Sequence, residues 1–264
     1  MEKSQRKKAV LLMSANTAAF LFMVIVNFLA NYLPLNNTPT EEISDMYYNI
    51  FTPAGFTFII WGVIYLLLTI LVIYLIKGLK DNNQQAVQAV LKMRWCFIVS
   101  SLFNGSWLFA WHYDRIGISL ILMLGLLASL IKLYLNLRNL SFAPGFYLLP
   151  ISVYLGWITV ATVANIAVFS VSVDWGRWGL SAEFWFTVLL LLVLAVAAVV
   201  VLKKRDTAYG LVILWALIGI FSARAGDQPG WNYATYAALT AAVIMALILI
   251  QKIRSGLKRD TPQV

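Results

Sequence analysis

The sequence predicts an all-α integral membrane protein with eight transmembrane helices. Hydrophobic residues make up 61% of the chain and charged residues only 12%, whereas soluble domains have about one half and one quarter of each. The apolar residues form long runs that are separated by short polar segments. A chain of 264 residues has room for about eight spans of roughly 20 residues, and no separate soluble domain fits beside them.

The first four predicted helices follow from their lengths and their flanking residues. Val10–Leu33 follows a basic N-terminus and is too long for a cleaved signal peptide, so we interpret it as an uncleaved signal anchor. The second begins just after Pro53 with aromatic residues, and the third and fourth are separated by a short polar turn. These three are Ala54–Ile76, Met93–Trp111 and Ile116–Leu135.

The last four predicted helices are less uniform. The seventh is short for a span, and the eighth carries alanines on one face, which lets neighbouring helices approach closely. The four helices are Phe146–Val168, Phe184–Leu202, Tyr209–Ala223 and Tyr233–Ile250.

Basic residues support both the count and the orientation. With the N-terminus inside, all but three of the 20 Lys and Arg residues fall in inner segments; the exceptions are Arg115, Arg177 and Arg224. Adding or removing one helix would scramble this pattern from that point on. The positive-inside rule therefore predicts eight spans with both termini in the cytoplasm.

Several functional classes are excluded by composition. The net charge of +9 is explained by topology signals, and no phosphate-binding loop or nucleic-acid motif accompanies it. Cys96 and His112 are the only residues of their kinds, so the chain can form neither an intrachain disulfide nor a Cys/His metal site. His112 is interpreted either as an axial haem ligand or as a solvent-touching histidine at the membrane interface.

Three predicted helices each place aromatic or amide side chains on one face, at helical spacing. The three faces are Phe58, Trp61 and Tyr65; Asn104, Trp107 and Trp111; and Tyr154, Trp157 and Asn165. Their depths, at 1.5 Å per residue, put all three in the outer half of the bilayer. Together they predict an outward-opening cavity that suits a large planar hydrophobic ligand.

Other interpretations of these residues stay open. Tryptophans at helix ends belong to the interfacial belts of many membrane proteins, and Trp61 or Trp157 could be ordinary packing residues. Asn104 and Asn165 could bond neighbouring helices rather than a ligand. The long outer loop, Pro34–Thr52, is either a lid over the outer face or a solvated connection.

Three motifs resemble the TspO/MBR family of tryptophan-rich sensory proteins. The start of its second helix is similar to Pro53-Ala54-Gly55-Phe56-Thr57-Phe58 followed by Trp61 and Tyr65. Its third helix is similar to Asn104-Gly105-Ser106-Trp107. Its fifth helix, the most specific of the three, is similar to Tyr154-Leu155-Gly156-Trp157 followed by Ala161-Thr162 and Asn165.

The resemblance implies a five-helix core over residues 1–170 and leaves residues 171–264 as a three-helix extension. It also implies a pocket for a tetrapyrrole or a sterol, with porphyrin or haem as the ligand and no required cofactor. Its ligand residues would be Phe56, Phe58, Trp61, Tyr65, Asn104, Trp107, Tyr154, Trp157 and Asn165. Ala54 and Phe56 stand where the family has Pro and Trp, so a Trp-dependent photochemical reaction is not implied.

We therefore predict a multi-pass sensory or ligand-binding protein of a bacterial cytoplasmic membrane. Its partners would be the lipid bilayer and a small hydrophobic ligand, not nucleic acid, and a homodimer is one possible state. A transporter for a small hydrophobic molecule is the alternative. An enzyme is disfavoured, because the sequence places no nucleophile–base pair or carboxylate cluster at membrane depth.

Overall fold

The chain is divided into two units, each with its own core. The computed structural model describes residues 3–32, 36, 40–142, 144–226 and 232–260. The first unit is formed by Met1–Met46 and Ile59–Ile158, and the second by Tyr47–Phe58 and Thr159–Val264. The segment 47–58 therefore interrupts the first unit in sequence, while the predicted domain boundary near residue 170 remains a prediction.

The first unit contains six helices and the start of a seventh. They are α1 (Lys3–Tyr32), α2 (Thr40–Met46), α3 (Ile60–Lys80), α4 (Gln84–Met93), α5 (Cys96–His112), α6 (Ile116–Arg138) and the first half of α7 (Gly145–Ser172). A 3-10 helix, Gly55–Ile59, leads directly into α3. The side chain of Asn83 caps α4 by accepting hydrogen bonds from the backbone of Gln85 and Ala86.

The second unit contains the rest of α7 and three further helices. They are α8 (Ala182–Ala198), which continues as a π-helical turn (Val199–Lys203), α9 (Thr207–Gly226) and α10 (Tyr233–Asp260). Each helix start has a side-chain cap: Ser181 accepts from Phe184 N, Asp206 from Tyr209 N and Asn232 from Thr235 N.

The predicted class, an all-α membrane protein, is confirmed. Within the described residues, seven helices are long and apolar enough to cross a membrane. Helices α4 and α5, bent by 54° at a short break, pass the same test as a pair and bring the number to eight. Regular structure in the described part of the chain is entirely helical. The predicted direction of insertion, with both termini in the cytoplasm, stays a prediction.

Two short helices, α2 and α4, were not predicted because their sequences are too polar for spans. The amphipathic α4 buries Ala86, Val87 and Val90 and exposes its glutamines. It ends where Arg94 takes φ 50° and ψ −134°, so α5 begins at Cys96 instead of the predicted Met93.

Helix α9 is also longer than predicted. Arg224, which the sequence places in an outer loop, lies in the last turn of α9 with only 5% of its surface exposed.

A close contact between α3 and α4 gives a test of the packing. A Cβ added at Gly78 would lie 2.5 Å from Ala86 Cβ, and neither short side chain can move without its helix. We expect Gly78→Ala to lower the unfolding free energy by about 1–3 kcal/mol, measured by denaturant unfolding in detergent. In the described part of the chain, a Cβ added at Gly62 of the same helix meets no atom within 4 Å, so Gly62→Ala should be neutral or slightly stabilising. Equal effects of the two changes would contradict the contact.

Candidate ligand-binding site

Five aromatic residues of the first unit pack together around Trp61; we call them the aromatic cluster. They come from three helices that are distant in sequence: Trp61 and Tyr65 from α3, Trp107 from α5, and Tyr154 and Trp157 from α7. The rings of Trp61 and Tyr65 lie one helical turn apart and are stacked, with centroids 5.7 Å apart.

The geometry of the cluster is that of specific aromatic packing. Trp61 lies parallel to Trp107, with centroids 6.3 Å apart and planes 28° apart. It meets Tyr154 and Trp157 edge to face, each with centroids 6.2 Å apart. Both arrangements are favoured by ring quadrupoles. Trp107 and Trp157 are buried, whereas Trp61 is half-buried and keeps part of its surface open.

A chain of hydrogen bonds runs beside the aromatic cluster. Tyr65 Oη donates to Asn27 Oδ1, and Asn27 Nδ2 donates to Asn104 Oδ1 at 2.7 Å. Asn104 Nδ2 then donates to Tyr154 Oη at 2.8 Å. We call these four residues the polar chain. Because unpaired polar groups are costly in a membrane, the polar chain fixes α1, α3, α5 and α7 relative to one another.

Asn27 was missed in the sequence analysis. It lies within the apolar run of α1, is 6% exposed, and bonds both Asn104 and the carbonyl of Met23. An amide inside an uncharged span was its only signal, and the same signal drew attention to Asn104. Its position near the aromatic cluster is set by packing between α1 and α5, which no sequence motif records.

The indole nitrogen of Trp107 in the aromatic cluster is available to a ligand. Trp107 is 5% exposed, and its Nε1–H has no hydrogen-bond partner among the described residues. A buried donor without a partner costs about 1–3 kcal/mol. An acceptor atom on a bound ligand would recover that cost.

The structure brings six of the nine predicted ligand residues together in the first unit: the five of the aromatic cluster and Asn104. The other three, Phe56, Phe58 and Asn165, belong to the second unit. There the ring of Phe56 packs edge to face on Trp215, with centroids 5.4 Å apart, and Asn165 is buried.

His112 lies at the end of α5, and one of its two interpretations is wrong. It is 1% exposed, so it is not a solvent-touching residue. Its Nδ1 lies 2.8 Å from the carbonyl oxygen of Leu108, and its own carbonyl accepts a hydrogen bond from Asn36 Nδ2 at 3.1 Å.

One comparison with known proteins identifies a relationship. The family model described as TSPO-like protein matches residues 12–251. The match begins in α1 and continues into α10, so it includes the C-terminal helices that the sequence motifs left unassigned. No curated protein and no solved structure matches the chain.

Proposed function

Since the chain belongs to the TSPO-like family and is a multi-pass membrane protein, we propose that it binds a planar hydrophobic ligand in the aromatic cluster. The proposed ligand is a porphyrin or haem-type tetrapyrrole, and the proposed role is sensing or binding without catalysis. A bacterial cytoplasmic membrane as its location and a homodimer as its assembly belong to the same proposal.

The observation that carries the proposal is the buried Trp107 Nε1–H beside the half-buried face of Trp61. Flat aromatic walls favour a flat ligand, and a few fixed polar groups orient it. The cluster supplies such walls from three helices, and the indole N–H supplies a donor that no described residue uses. A tetrapyrrole has a large planar surface that matches the aromatic walls, and it has acceptor atoms for the Trp107 N–H.

Binding is tested by titrating the purified full chain in detergent with protoporphyrin IX and following tryptophan fluorescence. We expect saturable quenching together with a shift of the porphyrin absorbance band. Nonsaturating quenching without a spectral shift would refute binding. A transporter for the same hydrophobic molecule remains the alternative prediction, and counterflow in proteoliposomes tests it.

Trp107→Phe separates the donor from the ring. The phenyl ring keeps the contact with Trp61 but cannot donate, so we expect protoporphyrin affinity to fall about tenfold, the value of one hydrogen bond. Thermal unfolding of the ligand-free variant should stay close to that of the original protein, because the smaller ring and the removal of an unpaired donor have opposite effects.

The matched control is Trp178→Phe, which changes a 78% exposed tryptophan of the second unit and should leave affinity unchanged. Unaltered affinity in Trp107→Phe would show that the indole N–H does not contact the ligand.

A further inference from the structure

The segment of residues 47–58, which we call the strap, connects α2 to α3 but packs as part of the second unit. It includes the motif at the start of the second predicted helix. Its residues Phe51, Thr52 and Thr57 are at most 9% exposed. Burial of these three residues in the second unit anchors the strap, while Tyr48 and Phe56 stay exposed.

The tightest contact of the strap is with α9 at Gly219. The backbone N–H of Ala54 donates to the carbonyl oxygen of Gly219 at 3.0 Å. Thr57 fills the space that a side chain at position 219 would need, since an added Cβ would lie 2.0 Å from Thr57 Cγ2 and 3.2 Å from Pro53 Cβ. Only glycine permits this approach.

Thr57 cannot turn away from that contact without losing another one. Its Oγ1 donates to the carbonyl oxygen of Ala54 at 2.6 Å, and its branched side chain has few rotamers. One turn before Gly219, Trp215 Nε1 donates to the carbonyl oxygen of Thr57 at 3.1 Å. The ring of Trp215 also packs on Phe56.

The other end of the strap is held by aromatic contacts. Phe51 is 1% exposed and packs edge to face on Phe186 of α8, with centroids 6.3 Å apart. Arg224 of α9 donates to Tyr48 Oη at 3.2 Å and lies over its ring. Helices α8 and α9 thus contact the strap along most of its length.

The strap continues without interruption into the helix that bears Trp61. The 3-10 helix Gly55–Ile59 includes Thr57, and α3 begins at the next residue. Trp61 comes only four residues after Thr57, about one helical turn. This covalent continuity is the route by which a change in the docking of Thr57 would reach the aromatic cluster.

We propose that Gly219 and Trp215 are positioning residues for ligand binding: by docking the strap, the C-terminal helices set the affinity of the aromatic cluster. This inference rests on the proposed function for its ligand. It gives the C-terminal helices a role, the retention of the strap.

The experiment compares Gly219→Ala with the double variant Gly219→Ala/Thr57→Ser in the full chain in detergent. The added methyl group must displace Thr57, whereas serine lacks Cγ2 and retains the hydroxyl that bonds Ala54. Gly226→Ala is the matched control, because it changes another glycine of α9 whose added Cβ meets no atom of the described residues within 4 Å. Hydrogen–deuterium exchange of residues 47–58 and 59–66 and protoporphyrin IX affinity are measured for each.

In Gly219→Ala we expect strap amides to exchange about tenfold faster and protoporphyrin affinity to fall about fivefold or more. Thr57→Ser in the double variant should restore most of both, since it removes the 2.0 Å contact but leaves those to Pro53 Cβ at 3.2 Å and to Cβ of residue 57 at 3.3 Å. Gly226→Ala should change neither. If Gly219→Ala does not fold, Trp215→Phe replaces it, since that change removes the hydrogen bond to Thr57 and keeps a ring against Phe56.

Two results would overturn the inference in a protein that binds porphyrin. Unchanged exchange in the strap of Gly219→Ala would show that Gly219 does not hold the strap. Faster exchange with unchanged affinity would show that docking of the strap does not affect the ligand site.

If the original protein binds no porphyrin, the proposed function fails separately, and exchange of residues 59–66 tests the inference. Faster exchange there in Gly219→Ala supports transmission to the turn that bears Trp61, and unchanged exchange refutes it.

Discussion

Trp61→Ala should abolish saturable porphyrin binding and destabilise the first unit. The indole of Trp61 is the ring on which Tyr65, Trp107, Tyr154 and Trp157 all pack, so its removal opens a cavity among them. Truncation of a large aromatic residue costs about 3–5 kcal/mol when it is fully buried. Because Trp61 is half-buried, we expect the lower end of that range, about 3 kcal/mol.

The measurements are denaturant unfolding in detergent and protoporphyrin titration of the fraction that remains folded. Trp178→Ala is the control, since it also removes one fluorophore but from a residue that is 78% exposed in the second unit. A Trp61→Ala variant that is as stable and binds as tightly as Trp178→Ala would show that the cluster is neither a packing centre nor a ligand site.

Asn104→Leu should have the second largest effect, because it breaks the polar chain in the middle. The change leaves Tyr154 Oη without its amide donor and Asn27 Nδ2 without one of its two acceptors. Hydrogen bonds between membrane helices contribute about 0.6–1.7 kcal/mol each. Two lost bonds and the orphaned groups together predict a loss of about 2–3 kcal/mol of unfolding free energy.

A double-mutant cycle with Asn27→Leu identifies the cause. If the two amides bond each other, the double variant should cost less than the sum of the single changes by about 1 kcal/mol. Additive costs would argue against the bond. Asn136→Leu is the control, since Asn136 Nδ2 makes a weak contact to Cys96 Sγ at 3.7 Å, and we expect this change to cost little.

The spans were predictable because a membrane imposes a simple rule on sequence. Twenty apolar residues in a row have few alternatives to a helix, so the run that became α6 was located to within three residues at each end. The break at Arg94 was harder to predict. It depends on the burial of one face of α4, which competes with continued helix propagation into α5.

The aromatic cluster was predictable in part, for a reason of spacing. Residues separated by three or four positions on one helix share a face, which put Trp61 with Tyr65 and Tyr154 with Trp157. Which faces meet depends on helix packing, and Asn27 shows the limit, since its bond to Asn104 joins residues 77 positions apart. The docking of Thr57 at Gly219 also escaped the sequence analysis, because a glycine inside an apolar helix has no distinctive pattern.

The discontinuous first unit has a consequence for biogenesis. Thr57 leaves the ribosome about 160 residues before Gly219, and chains are synthesised at about 5–20 residues per second. Helix α9 is therefore synthesised on the order of ten seconds after the strap and α3. During that interval Phe51 and its neighbours have no permanent burial site. Completion of the strap is therefore a late step of assembly, governed by the arrival of the C-terminal helices.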